Sequence, residues 1–239
     1  MIPTWKVFWN QKHGIDVSPR HTEAHYQELG RGVLELLSSH RPLMLLDWGC
    51  GEALATPYLT ENGIEVVLYD AIPLMQQRMQ KRFSGMPSVR TLATDPVDEL
   101  MPASVDAVLV YSVAQYLPKE EFKSLVQRLR TLLRPGGRII LGDIVPPSLP
   151  MHLDAFDLIR AGLRYGFFVN ALLGLVRTFF SSYRAIRTAN GFSTYTYDEL
   201  EAMLKACGFS SVKRRPNISL NRHRTLVIAE VGEAVHNEK

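Results

Sequence analysis

Three observations in this sequence predict a doubly wound α/β fold: a mainly parallel sheet of seven strands with an antiparallel edge hairpin and a helical cap insertion. Short apolar runs alternate with amphipathic stretches from residue 43 to residue 143, the rhythm of a parallel sheet covered by helices on both faces. The first apolar run feeds a glycine turn in "LLDWGCGEA", and later runs end on aspartates. Near the end, "SVKRRPNISL" and "RTLVIAEV" are joined through "NRHR", a connection short enough to make them an antiparallel pair at the sheet edge.

The elements follow in order. Ser18-Pro19 reads as an N-cap and first-turn proline, and Leu29, Val33, Leu36 and Leu37 recur at helical spacing behind it. The first strand is Leu43 to Leu46, and after the glycine turn a helix runs through Tyr58 and Leu59. "GIEVVLYD" is a buried strand ending on Asp70, and "PLMQQRMQKRF" is the helix that returns across the sheet. "VRTLATD" and "VDAVLVYS" supply two more strands. "KEEFKSLVQRLRTLLRPGG" is an amphipathic helix stopped by Pro135 and its glycines, with "RIILGD" as the strand after it. Beyond Asp143 the rhythm breaks into a long apolar, arginine-studded stretch, and "TYDELEAMLKACGF" then supplies a helix with Thr196 and Glu199 in capping-box spacing. A single domain follows: an N-terminal helical cap at 1–40, a cofactor-binding core at 41–145, a substrate-cap insertion at 146–192, and the last helix and edge strands at 193–232.

Composition narrows the partners. With 239 residues, 46% hydrophobic and 21% charged, the chain has enough apolar material for a packed core. A net charge of +3 is too small to indicate a nucleic-acid partner. Two cysteines, Cys50 and Cys207, cannot form a framework of bridges, so reduced thiols in a cytoplasmic protein are expected. The first twenty residues lack the apolar core of a secretory signal, and no run reaches the ~18 apolar residues of a membrane span. The chain is therefore expected to be soluble, or peripheral at a membrane.

The glycine turn carries the chemistry. Glycines two apart let a backbone pass close beneath a nucleotide. A dinucleotide fingerprint would place Gly or Ala three residues after Gly51, where Leu54 stands. Asp47, two residues before Gly49, is unwelcome near phosphate but suits an ordered loop and a cationic ligand. Asp70 ends the next strand nineteen residues after Gly51, the edge from which a carboxylate binds both ribose hydroxyls. Asp95, at the end of the third strand, can accept the amino hydrogens of adenine. A phosphate-free adenosine with positive charge is S-adenosylmethionine.

Four motifs in order resemble the class I S-adenosylmethionine-dependent methyltransferases of small-molecule type: "LLDWGCGEA", "YDAIPLM", "ATDPVDELMPASVDAVLVYSVAQYLP" and "LLRPGGRIILGD". The resemblance spans Leu43 to Asp143 and implies a Rossmann-like methyltransferase fold. It further implies that Gly49 and Gly51 line the methionine moiety, with Asp47 beside them, and that Asp70, followed by Ala71, holds the ribose. Asp95 and Pro96 would flank the adenine, Tyr111 and Ser112 would lie beneath the methionine, and Trp9 would cap the cofactor. Ala53 replaces the usual third glycine, and Gln115-Tyr116 stand where many relatives carry a His pair.

In such a family the acceptor side is built by the N-terminal helix and the segment between strands five and six. Here residues 148–192 carry Arg160, Arg164, Arg177, Arg184 and Arg187 against Asp154 and Asp157, a charge of +3 that equals that of the whole chain. The apolar "YGFFVNALLGLV" within it suits a lid over a lipophilic acceptor or a helix lying on a membrane; burial against the sheet or a second subunit is the alternative. The expected partner is thus a small lipophilic acceptor, with peripheral membrane contact through 150–190 or a homodimer contact in its place. His152 and Asp143 lie nearest the carboxyl end of the fifth strand and are the candidate bases. No cluster of metal-ligating residues is visible, so no metal is expected. "YSVAQY" replaces the Asn-Pro-Pro-aromatic signature of nucleic-acid and protein amino-methyltransferases, and the basic segments "VKRRP" and "NRHR" lack interleaved aromatics. They are expected to form a solvated hairpin or an anionic-lipid contact, with no nucleic acid bound. O-methylation is favoured over C- or N-methylation, and a non-catalytic binding protein on the same scaffold is the competing class.

Overall fold

Leu45 and Leu46 are adjacent in the chain and both fully buried, which a strand achieves only when both of its faces are covered. The computed structural model describes residues 17–37, 43–179 and 193–233; Trp9 lies outside them. The described elements are α1 (Pro19–Leu37), β1 (Met44–Trp48), α2 (Thr56–Glu61), β2 (Glu65–Tyr69), α3 (Pro73–Phe83), β3 (Val89–Thr91), α4 (Pro96–Glu99), β4 (Val105–Tyr111), a 3₁₀ turn (Ala114–Tyr116), α5 (Lys119–Arg130), β5 (Leu133–Ile144), α6 (Met151–Tyr165), α7 (Phe168–Phe179), α8 (Tyr197–Ala206), β6 (Ser211–Pro216) and β7 (Thr225–Glu230).

The strands form one seven-stranded sheet in the order β3-β2-β1-β4-β5-β7-β6. β1 to β5 run parallel, and β7 joins β5 antiparallel with β6 outside it at the edge. Leu29 and Val33 of α1, Leu59 of α2 and Met79 of α3 cover one face. Phe122, Leu125, Val126 and Leu129 of α5, with Leu200 and Leu204 of α8, cover the other. α5 buries positions i, i+3, i+4 and i+7, and its Glu120 and Glu121 open the first turn while Arg128 and Arg130 close the last, the polarity that the helix dipole favours. The expected caps are present. Ser18 Oγ accepts from His21 N at 3.1 Å, and Thr196 and Glu199 form the reciprocal capping box at 2.9 and 3.1 Å.

Two boundaries differ from the sequence expectation. β5 begins at Leu133, so Pro135 and its glycines lie inside the strand, where a register shift opposite β4 between Val105 and Ala107 accommodates them. β3 is only three residues long, which leaves Asp95 four residues beyond its end.

The insertion forms two helices. α6 stops at Gly166, whose φ of +75° is the left-handed conformation of a helix cap. Ala161, Phe167 and Ala171 pack on Ala24 of α1 in a small satellite core.

Candidate functional site

The turn after β1 is held by β2. Gly49 N and Cys50 N both donate to Tyr69 O, at 2.8 and 3.2 Å, and the turn needs positive φ at Gly49 (+77°), Gly51 (+57°) and Ala53 (+51°). A Cβ on Gly49 would stand 2.6 Å from Val113 Cγ2, whereas one on Gly51 would meet nothing within 4 Å. Gly51 thus borders open space, the cradle that a ligand backed by bare backbone requires.

Asp70, at the end of β2, buttresses this turn. Its Oδ2 accepts from Gly51 N and its Oδ1 from Ile72 N, both at 2.8 Å. Burial pushes its carboxyl above the ordinary range, and those two amides pull it back. Asp47 is buried beside it, and its carboxyl is pushed up to about 7, first by desolvation and then by the charge on Asp70. Two buried carboxylates around an open glycine turn form a receptor for positive charge and hydroxyl donors, which fits the cationic, ribose-bearing S-adenosylmethionine. Ala71 follows Asp70 in the same loop.

A pH prediction follows from Asp47. Its folded value of about 7 exceeds the ordinary 3.8, so the fold favours the protonated carboxyl. The associated stability is fully present below about pH 4 and is lost as pH rises through 7. Thermal melts from pH 5 to 8 are expected to show the wild type falling relative to Asp47→Asn; parallel curves would refute this assignment.

The third acid is placed differently from the sequence expectation. Asp95 is the N-cap of α4, accepting from Val97 N at 3.1 Å, and it also pairs with Arg128 Nη2 at 3.1 Å. Pro96 is the buried first residue of that helix. The short β3 explains the displacement.

The floor of the site lies at the ends of β4 and β5. Tyr111 is buried and its hydroxyl donates to Asn217 Oδ1 at 3.1 Å; burial and Asp143 push the phenol well above its ordinary range. Ser112 and Asp143 are non-glycine residues at φ +58° and +59°, and Ser112 Oγ donates to Asp143 Oδ2 at 2.5 Å. Paired strain of this kind persists only where surrounding contacts enforce it. Here they do: Arg224 Nη1 donates to Asp143 Oδ2 at 2.8 Å, Asn217 Nδ2 reaches Asp143 Oδ1 at 3.4 Å and Asp143 N donates to Asn217 Oδ1 at 3.2 Å. Arg224 also reaches Asp154 of α6, with both contacts at 3.4 Å.

Both oxygens of Asp143 are already accepting hydrogen bonds, one of them from an arginine, so it acts as an anchor for the floor. His152 is exposed and shares the outward stripe of α6 with the exposed Phe156 and Arg160, while the buried Asp157 faces inward. In the "NRHR" tip Arg222 and His223 are exposed, and Arg224 departs from the expected solvated hairpin, with its side chain 11% exposed. Arg224, Asn217, His223 and Asp157 were not among the sequence candidates. The signal available for them was modest, two aspartates on an arginine-rich helix and an unexplained basic turn.

A family model described as a methyltransferase domain matches residues 46–141. A curated relative, demethylmenaquinone methyltransferase of Clavibacter sepedonicus, is 26% identical over 174 residues, covering 72% of this chain and 67% of the relative. Other curated relatives are covered over 64% of their length. Among solved structures, magnesium protoporphyrin IX methyltransferase from Synechocystis, with S-adenosylmethionine bound, aligns with a TM-score of 0.60 at 15% identity over 95% of this chain and 89% of its own. The 1,6-didemethyltoxoflavin-N1-methyltransferase of Burkholderia thailandensis, with S-adenosylhomocysteine bound, gives 0.56 at 18% identity over 89% and 80%. At those identities the structural likeness carries the fold.

Proposed function

We propose that this chain, whose residues 46–141 match a methyltransferase-domain model, is a class I enzyme that transfers the methyl group of S-adenosylmethionine to a small lipophilic acceptor, at oxygen in preference to carbon or nitrogen. The observation that carries this reading is the open glycine turn tied by Gly51 N to the buried Asp70 carboxylate. When bound, S-adenosylmethionine supplies an electrophilic methyl group. Gly49, Gly51 and Asp47 would line its methionine end, Asp70 and Ala71 the ribose, Asp95 and Pro96 the adenine edge, and Tyr111 and Ser112 the floor beneath the methyl group; Trp9 is retained as a proposed cap. Alignment of the acceptor and exclusion of water are the chain's main contributions to such a displacement. The three relatives named above carry small-molecule acceptors in their names.

The cap supports a lipophilic acceptor. Leu163, Val169, Leu173 and Val176 of α6 and α7 are 66%, 67%, 52% and 59% exposed, with the exposed Arg160 and Arg164 beside them. Among the described residues no helix is long and apolar enough to cross a membrane. An apolar stripe with flanking arginines lies well on an anionic bilayer surface, so the acceptor would be collected there. Burying an exposed Leu or Val contributes ~1.5–3 kcal/mol. The double variant Leu173→Asp with Val176→Asp is therefore expected to weaken partition onto phosphatidylglycerol vesicles at least about 100-fold in a flotation assay. Equal flotation of variant and wild type would remove the membrane from the proposal, and sedimentation would then test whether a second copy covers the stripe.

The activity is tested by incubating the purified protein with methyl-labelled S-adenosylmethionine and separate lipid and aqueous extracts of its source cells. Label in the organic phase supports the proposal. Label in the aqueous phase alone would reject a lipophilic acceptor, and label in neither would reject methyl transfer.

A further inference from the structure

Asp157 is 1% exposed, and the hydrogen bonds recorded for its carboxylate both come from one residue. His223 Nδ1 stands 2.8 Å from Asp157 Oδ2, and His223 N donates to the same oxygen at 3.3 Å. The other oxygen, Oδ1, is buried with no hydrogen-bond partner among the described residues. A carboxylate compensated so sparsely is an unfavourable thing to bury for structure alone. What it does is fix a ring: with Nδ1–H donating to Oδ2, the imidazole is held in one orientation with the Nε2 lone pair outward. The His223 side chain remains 36% exposed, so that nitrogen sits on a ring open on one side.

The position of the pair matters as much as its geometry. β6 and β7 meet at Pro216 and Thr225, and Thr225 is also paired with Ile144 at the carboxyl end of β5. The connection 217–224 therefore arches at the carboxyl end of β5, and its Asn217 reaches Tyr111 at the end of β4, the side on which ligands of such sheets bind. The next residue, Arg224, holds Asp143, which in turn holds Ser112. Asp157 comes from α6, in the cap. The pair thus joins the proposed acceptor side to the floor beneath the methyl group.

We propose that His223 is the general base of the methyl transfer and that Asp157 positions it, for an acceptor bearing an acidic O–H such as a phenol or enol; this rests on the methyltransferase reading above. Nε2 of His223 takes the O–H proton as the acceptor oxygen forms its bond to the methyl carbon. The methyl–sulfur bond breaks with its electron pair staying on sulfur, which becomes a neutral thioether, and the imidazolium then returns its proton to water. Asp157 of α6 faces the ring, and the arginines on either side of His223 are themselves paired, Arg222 with Glu28 of α1 at 3.9 Å and Arg224 with Asp143 of β5 and Asp154 of α6.

The test uses the full chain with methyl-labelled S-adenosylmethionine and 4-octylphenol. His223→Gln is expected to lower kcat about 10²–10⁴-fold, while S-adenosylhomocysteine still raises the melting temperature as in the wild type. The wild-type kcat should rise with pH through one ionisation that His223→Gln lacks, and Asp157→Asn should lower kcat with little change in KM. A His223→Gln variant within threefold of wild type would overturn the proposal. If the wild type leaves 4-octylphenol unmethylated, nitrogen NMR of labelled histidine decides: neutral His223 should carry its proton on Nδ1, and lose that preference in Asp157→Asn. A proton on Nε2 in the wild type would overturn the proposal. No thermal shift with either cofactor form in the wild type would instead overturn the methyltransferase reading.

Discussion

Replacing Asp70 with alanine is expected to abolish the rise in melting temperature that S-adenosylmethionine gives the wild-type chain. At a ligand concentration about a hundredfold above Kd, that rise corresponds to ~2.7 kcal/mol, so its loss is easily read. Two effects converge. The carboxylate proposed to accept the ribose hydroxyls is removed, and Gly51 N and Ile72 N lose their acceptor, so the glycine turn that would cradle the methionine end loosens. Leaving those amides unpaired costs about 1–3 kcal/mol of stability where they are buried, so the unliganded variant should also melt lower. Calorimetric titration checks the binding directly. Retained binding with a lowered melting temperature would mean that Asp70 supports the turn and does not touch the ligand.

Arg224→Met is expected to destabilise the fold by about 3–5 kcal/mol in urea titrations, the cost of leaving a buried carboxylate without its cation. Asp143 has a side chain 4% exposed, and the remaining donors, Ser112 and Asn217, are neutral. The same change removes the Arg224 contacts of Asp154, so the cap helix should loosen with the floor. Adding Asp143→Asn to Arg224→Met should recover part of the loss, because an amide is far cheaper to bury than an unpaired carboxylate. A cost below about 1 kcal/mol for Arg224→Met alone would show that the pair is solvated in solution.

What could be seen in the sequence was what is local. Asp70 follows the apolar run that ends on it, Gly49 and Gly51 stand two apart, and Thr196 and Glu199 three apart; such spacings are set by one strand end or one helical turn. An apolar pattern does not say that β3 ends after three residues, short of Asp95, nor that a register shift lets β5 absorb Pro135. His152 was drawn to the site by its nearness to β5, yet helix phase turns it outward, and only the packing of α6 says which phase faces in. Arg224 and His223 could not be found because their partners are 81 and 66 residues away. Long-range ion pairs leave no periodicity.

The arching connection has a further consequence, in the order in which the molecule comes into being. The glycine turn, Asp70 and the first five strands are complete once residue 144 has left the ribosome, and they are neighbours in sequence as well as in space. Ser112 and Asp143 adopt their left-handed backbone against Asn217 and Arg224, which are translated 74 and 81 residues after Asp143. On the proposed reading, the nascent chain therefore owns a place for the methyl donor well before it owns a place for the reaction. Translation itself separates the two, and a chain stalled between them would hold its donor without a floor on which to spend it.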